Sequence, residues 1–315
     1  MATAFVFPGQ GSQAVGMGKS LADSFPSARA VFDEVDSALN QKLSDIIWNG
    51  PEAELTLTEN AQPALMAVSM AVMRVLETEY SITLATHAKF VAGHSLGEYS
   101  ALAAAGTFSL ADTARLLKIR GKAMQAAVPV GQGAMAALLG LDFATASAVA
   151  AEAAQGEVCQ AANDNSDGQV VISGSKAAVD RACEIAKARG AKRAILLPVS
   201  APFHCALMKP AADAMAEALA QVKMNAPVVP LIANVVAGEI TDPAIIRAKL
   251  AEQVTGTVRW RESVAYMVAH DVKVFVEVGA GKVLTGLAKK NAPGATAMNA
   301  GTPEEIAALV QNLKG

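Results

Sequence analysis

Five consecutive residues, Gly93-His94-Ser95-Leu96-Gly97, constrain this chain more than any other segment. They follow a short apolar run, Phe90-Val91-Ala92, and lead into Glu98–Ala105, a stretch rich in small residues that ends at Gly106. A strand that turns sharply into a helix leaves no room for side chains flanking the turn, and Gly93 and Gly97 bring none. Gly-x-Ser-x-Gly in a strand–turn–helix context is the pattern of a nucleophile elbow. The helix start would then aim backbone N–H groups and the positive dipole end at the Ser95 oxygen, where negative charge develops in acyl transfer. A serine that only caps a helix is the plainer alternative. Glu98 reads as an acid that favours the first helical turn through the dipole.

An elbow needs a sheet beneath it, and the rest of the chain provides for one. With 315 residues, 52% hydrophobic and 17% charged, the chain has material for a sizeable core. Short apolar runs alternate with longer helical patterns, which points to an α/β fold built on a mostly parallel sheet. Expected strands are Ala4–Phe7, Phe90–Ala92, Val229–Ile232 and Val274–Glu277. Expected helices are Ala61–Glu77, Leu110–Ala127 and Pro210–Val222, the second opened by a capping-box-like Ser109-Leu110-Ala111-Asp112. Residues 129–198 keep a different rhythm: strand 133–138, helix 142–154, strand 158–162, strand 169–173, helix 176–188, strand 193–197. That β-α-β-β-α-β order is the ferredoxin-like unit. It is expected as a small subdomain inserted into a larger α/β one formed by 1–128 and 199–315.

Composition closes off several functions. A net charge of −3 gives no reason to expect nucleic acid or an anionic membrane as partner. No run approaches the roughly 18 apolar residues of a membrane-spanning helix, and the N-terminus lacks a secretory leader pattern. Cys159, Cys183 and Cys205 are odd in number and widely spaced, which argues against a disulfide framework and against a zinc site. A cytoplasmic setting without a metal or cofactor is expected.

A nucleophilic serine needs a base, and there are four histidines. His87 and His270 lie in polar stretches and read as surface residues. His94 adjoins Ser95 and should point away from it, in a structural role. His204 lies in Pro198-Val199-Ser200-Ala201-Pro202-Phe203-His204, a proline-stiffened loop after a strand, and is the candidate base. The third member of a triad is missing. Asp164, Asp167 and Asp180 fall between Ser95 and His204, but none sits at an evident strand end of the main sheet, and there is no HGGG-type loop. A main-chain carbonyl is left as the group that orients His204. Arg120 is the sharpest anomaly. At about 100° per residue it points roughly 140–160° away from Arg115, Lys118 and Lys122, and lies with Leu116, Leu117, Ala123 and Met124 instead. A guanidinium on an apolar face snorkels, pairs with a buried acid, or holds a substrate carboxylate with a two-pronged hydrogen bond.

Together these residues resemble the malonyl-CoA:acyl-carrier-protein transacylases of bacterial type II fatty-acid synthesis, nearly end to end. The likeness rests on Phe7-Pro8-Gly9-Gln10-Gly11-Ser12-Gln13, Gly93-His94-Ser95-Leu96-Gly97-Glu98, Arg120-Gly121-Lys122-Ala123-Met124, Pro202-Phe203-His204 and Glu277 to Leu284. It departs at Gly279-Ala280-Gly281, where the family often has Gly-Pro-Gly. The resemblance implies a hydrolase-like large subdomain beside the ferredoxin-like one, malonyl-CoA and acyl carrier protein as partners, Ser95 as nucleophile, His204 as base and Arg120 holding the malonyl carboxylate; a monomer is expected. It further implies an oxyanion hole from the N–H groups of Gln10 and Leu96, and Gln253 as the residue whose carbonyl orients His204. Met124 and Asn163, with Asn165, are expected to line the site. Lys187, Arg189, Lys192, Arg193, Lys289 and Lys290 are candidate docking charges for an acidic carrier protein.

Overall fold

The computed structural model describes residues 1–314. Among the described residues ten strands form two sheets. The first contains β1 (Ala2–Phe7), β2 (Phe90–Gly93), β7 (Leu231–Ala233), β8 (Gly238–Ile240), β9 (Val272–Val278) and β10 (Thr296–Ala300). Its order is β10-β9-β1-β2-β7-β8, parallel throughout except for the β7–β8 pair. The central strands are buried along nearly their whole length, which is why they read as continuous apolar runs and not as alternation.

The second sheet contains β3 (Gly133–Leu139), β4 (Cys159–Ser166), β5 (Gln169–Ser175) and β6 (Arg193–Leu196). It is antiparallel in the order β4-β5-β3-β6 and is backed by the helices Phe143–Ala154 and Lys176–Ala188 over a separate apolar cluster. This is the ferredoxin-like order expected from the sequence. β4 is tied to the loop that precedes the helix Trp260–Ala269: Asp164 N–H donates to Val258 O, and Val258 N–H donates to Ala162 O.

Helix Thr58–Tyr80 packs across the first sheet and is buried over most of its 23 residues. It contains the expected 61–77 helix and starts three residues earlier. Helix Leu110–Ala126 begins with Ser109 Oγ accepting from Asp112 N–H, the cap its sequence announces. The Glu277-to-Leu284 motif has a structural cause. The buried Glu277 carboxylate accepts from the N–H groups of Leu284 and Thr285 and from the Thr285 hydroxyl, so β9 caps the helix Val283–Asn291 that follows it. Among the described residues no helix is long and apolar enough to cross a membrane.

Candidate active site

Ser95 stands where β2 breaks into the helix Gly97–Ala104, with φ of 54°, in the left-handed region that a serine rarely adopts. The turn is as tight as the sequence demands. A Cβ on Gly93 would fall 1.9 Å from Gly97 carbonyl atoms, and one on Gly97 would fall 2.2 Å from Phe7 O. Asn234, immediately after β7, holds the strained turn from the side. Its Oδ1 accepts from Ser95 N–H at 2.8 Å and its Nδ2 donates to Gly93 O at 2.7 Å. Nothing in the sequence around Asn234 marks it; only the β2–β7 pairing brings it to the elbow.

His204 reaches Ser95 from the loop after β6. Its Nε2 lies 2.8 Å from Ser95 Oγ, and its Nδ1 lies 2.9 Å from Gln253 O. A carbonyl can only accept, so Nδ1 carries the ring proton and Nε2 faces the hydroxyl as a free base. Gln253 ends the helix Pro243–Gln253, where carbonyls lack intrahelical donors and the dipole is negative. That carbonyl takes the place of a triad acid. Burial, with the Arg120 charge second, pushes the His204 imidazole down to about 3, so it stays neutral near pH 7. Ser95, His204 and the Gln253 carbonyl thus lie in one hydrogen-bonded row, and Asp164 is engaged elsewhere, in a two-pronged pair with Arg261.

Arg120 is 1% exposed and lies on the apolar side of its helix, as its spacing predicts. Its guanidinium donates to Gln62 Oε1 (2.8 Å), Gln253 Oε1 (2.8 Å) and Ser95 Oγ (3.1 Å), and its Cζ sits 5.6 Å from the centre of the Tyr99 ring. It does not snorkel. Burial lowers its pKa, opposed by the neighbouring Tyr99 and Glu98. Gln62 was not foreseen; it is a buried amide in a helix otherwise read as core, and its polarity on a buried face was the available signal.

These groups open on a cleft of about 610 Å³ between the two sheets, lined also by Gln10, Met124, Met135, Asn163 and Phe203. Met124 and Asn163 therefore reach the place expected of them. Asn165 turns aside, accepting at Oδ1 from His94 Nε2 (2.9 Å), and His94 is packed on Trp260 as a structural residue. Burial lowers the His94 pKa, which keeps the ring neutral. Among the described residues the Leu96 and Gln10 N–H groups have no hydrogen-bond partner, and both residues line the cleft. Ser95 N–H, by contrast, is occupied by Asn234. A smaller groove of about 230 Å³, walled by Thr56, Leu57, Pro198, Val199 and Ser200, adjoins the cleft at Gln10.

A neutral imidazole against a strained serine, two unpaired N–H groups and a buried guanidinium meet in one cleft, an arrangement suited to acyl transfer. The chain belongs to the acyl transferase domain family, whose model matches residues 4–314. It is 49% identical over 308 residues to the malonyl CoA-acyl carrier protein transacylase of Escherichia coli (strain K12), covering 98% of both chains. Against the protein of that name from Bacillus subtilis (strain 168) it is 47% identical, with 99% and 97% covered. The crystal structure of acyl-carrier-protein-S-malonyltransferase from Bartonella henselae superposes with a TM-score of 0.97 at 58% identity, over the full length of each chain. A malonyl-transacylase solved in complex with a type II PKS acyl-carrier protein gives 0.95 at 42%, covering 99% of this chain and 100% of that one.

Proposed function

We propose that this chain transfers a malonyl group from malonyl-CoA to the phosphopantetheine thiol of acyl carrier protein, by a ping-pong route through malonyl-Ser95. Ser95 Oγ attacks the thioester carbonyl while His204 Nε2 takes its proton. The tetrahedral oxyanion is held by the N–H groups of Leu96 and Gln10. The C–S bond breaks and the CoA thiolate leaves with the proton from His204. In the second half-reaction the carrier thiol gives its proton to His204, attacks the acyl-serine carbonyl, and Ser95 Oγ departs reprotonated.

The observation that carries the malonyl assignment is Arg120. A guanidinium 1% exposed, aimed into the same cleft as the nucleophile and paired there with neutral groups, has a place for a carboxylate. Met124, Asn163 and Phe203 form the walls around the acyl chain. The reading also takes 129–198 as a small subdomain inserted between 1–128 and 199–315, supported by four antiparallel strands lying within 133–196. It takes the protein as a cytoplasmic monomer with no nucleic-acid or membrane partner.

Intact-protein mass after mixing with malonyl-CoA tests the route. The expected result is one malonyl adduct on the wild type, discharged by holo acyl carrier protein and not by apo carrier, and none on Ser95→Ala. Transfer that survives in Ser95→Ala would remove the covalent route.

A further inference from the structure

Glu98 lies one residue beyond the elbow and was expected to serve only the helix dipole. It is 1% exposed, and its carboxylate reaches across the elbow. One oxygen, Oε2, accepts from Gln253 Nε2 at 2.9 Å and from Asn234 N–H at 3.0 Å. Gln253 Nε2 also donates to Ser95 O at 2.9 Å. The Gln253 amide therefore has its NH₂ end between two acceptors and its Oε1 end on Arg120. Turned over, it would set an oxygen against Glu98 and Ser95 carbonyl oxygen and an NH₂ against a guanidinium, so only one orientation is allowed.

We propose that Glu98 is a positioning residue for malonyl transfer, acting through the Gln253 side chain to fix the Arg120 guanidinium and, through the same residue's carbonyl, the His204 ring. The proposal rests on the acyl-transfer reading above, which supplies the roles of His204 and Arg120. The acid missing from the triad is thus present one residue further back. It meets Gln253, and Gln253 meets both working side chains.

The interaction needs an acceptor oxygen at a set reach, not a charge. Burial pushes the Glu98 carboxyl up to about 7, against the pull of the Gln253 and Asn234 hydrogen bonds and the Arg120 charge, and a protonated carboxyl still accepts at Oε2. Two substitutions separate reach from charge. Glu98→Gln keeps the acceptor and loses the charge; Glu98→Asp keeps the charge and withdraws the acceptor by one methylene.

The test measures kcat and KM for malonyl-CoA and for acetyl-CoA in both variants, alone and in a Gln253→Ala background, with thermal melts alongside. E98Q should retain kcat/KM within about fivefold, and E98D should lose on the order of 30-fold with a raised KM for malonyl-CoA, as expected when positioning slips by an ångström or so. The E98D loss should be larger for malonyl than for acetyl, and should shrink below about threefold once Gln253 is alanine, because the two residues act as one unit. A role in folding alone would lower kcat with the active fraction and leave KM unchanged. Equal losses in E98Q and E98D, an unchanged KM, or the same factor in both backgrounds would overturn the proposal. Glu98→Met, which lacks any acceptor, replaces E98D if the aspartate variant does not fold. Transfer persisting in Ser95→Ala would instead strike the acyl-transfer reading.

Discussion

At the scale of single residues, Arg120 separates the reading from generic serine chemistry. Replacing it by alanine removes the carboxylate's partner, so malonyl transfer should fall by about 2–5 kcal/mol in kcat/KM while acetyl transfer changes far less. Equal losses for both acyl groups in a parallel assay would defeat the clamp. His204 makes a second claim. Burial and the nearby Arg120 charge, with a smaller push from His94, hold its pKa at about 3, well below the ordinary value near 6.5. Its base form is populated above the folded pKa, so single-turnover acylation of Ser95 should show no inflection near pH 6.5 between pH 5 and 8. A break there, read by quenched-flow mass measurement and persisting in Glu98→Gln, whose amide removes the other group titrating near neutrality, would mean an imidazole far more solvated than the structure shows. Ser95, His204 and Arg120 were legible in the sequence because each breaks a local rule: a serine between glycines, a histidine in a stiff loop, a cation on an apolar stripe. Asn234 breaks none that a linear reading detects, and Gln62 shows only as a polar residue in a helix read as core. Their polarity is explained only by neighbours 139 and 58 residues away.

At the scale of elements, the elbow depends on close backbone approach. Gly97→Ala would drive a Cβ to 2.2 Å from Phe7 O, against the end of β1, where neither backbone can yield cheaply. A destabilisation of about 3 kcal/mol or more is expected, with transfer lost together with the turn. Gly286 is the internal control. It lies inside the helix Val283–Asn291, and a Cβ there meets nothing within 4 Å. Gly286→Ala should raise stability by about 0.5–1 kcal/mol and leave transfer intact. Denaturant midpoints of the two variants, taken together, decide the point. The same contrast explains which elements were readable. Strands β1, β2, β7 and β9 are apolar because both faces are covered, whereas β8 and β10 are edges with mixed residues. Gly238-Glu239-Ile240 and Thr296–Ala300 carry no run that distinguishes them from loop, so partners, not propensity, make them strands.

At the scale of the whole molecule, the docking of an acidic partner turns on which surface charges are free. Lys187 and Arg189 already pair with Glu184 and Glu152. Lys192 and Arg193 are exposed, and among the described residues neither belongs to a salt bridge, so their charges are available to an acidic partner. Reversing both to glutamate should raise the apparent KM for holo carrier several-fold at low ionic strength, with the effect fading as salt rises. An unchanged KM at low salt would clear this face of the role. The sheet order has a further consequence, for how the chain comes into being. β1 is made before β2 and β9, yet it lies between them, and β9 ends at Val278. A ribosome must therefore pass Val278 before β1 can acquire its second neighbour, and Gln253 too comes well after the elbow. Nascent chains will carry the serine, the arginine and the histidine for much of their elongation without the sheet that makes them an enzyme. Such long-range closure puts the slow step of folding after synthesis, and leaves the half-made chain dependent on chaperones but chemically silent.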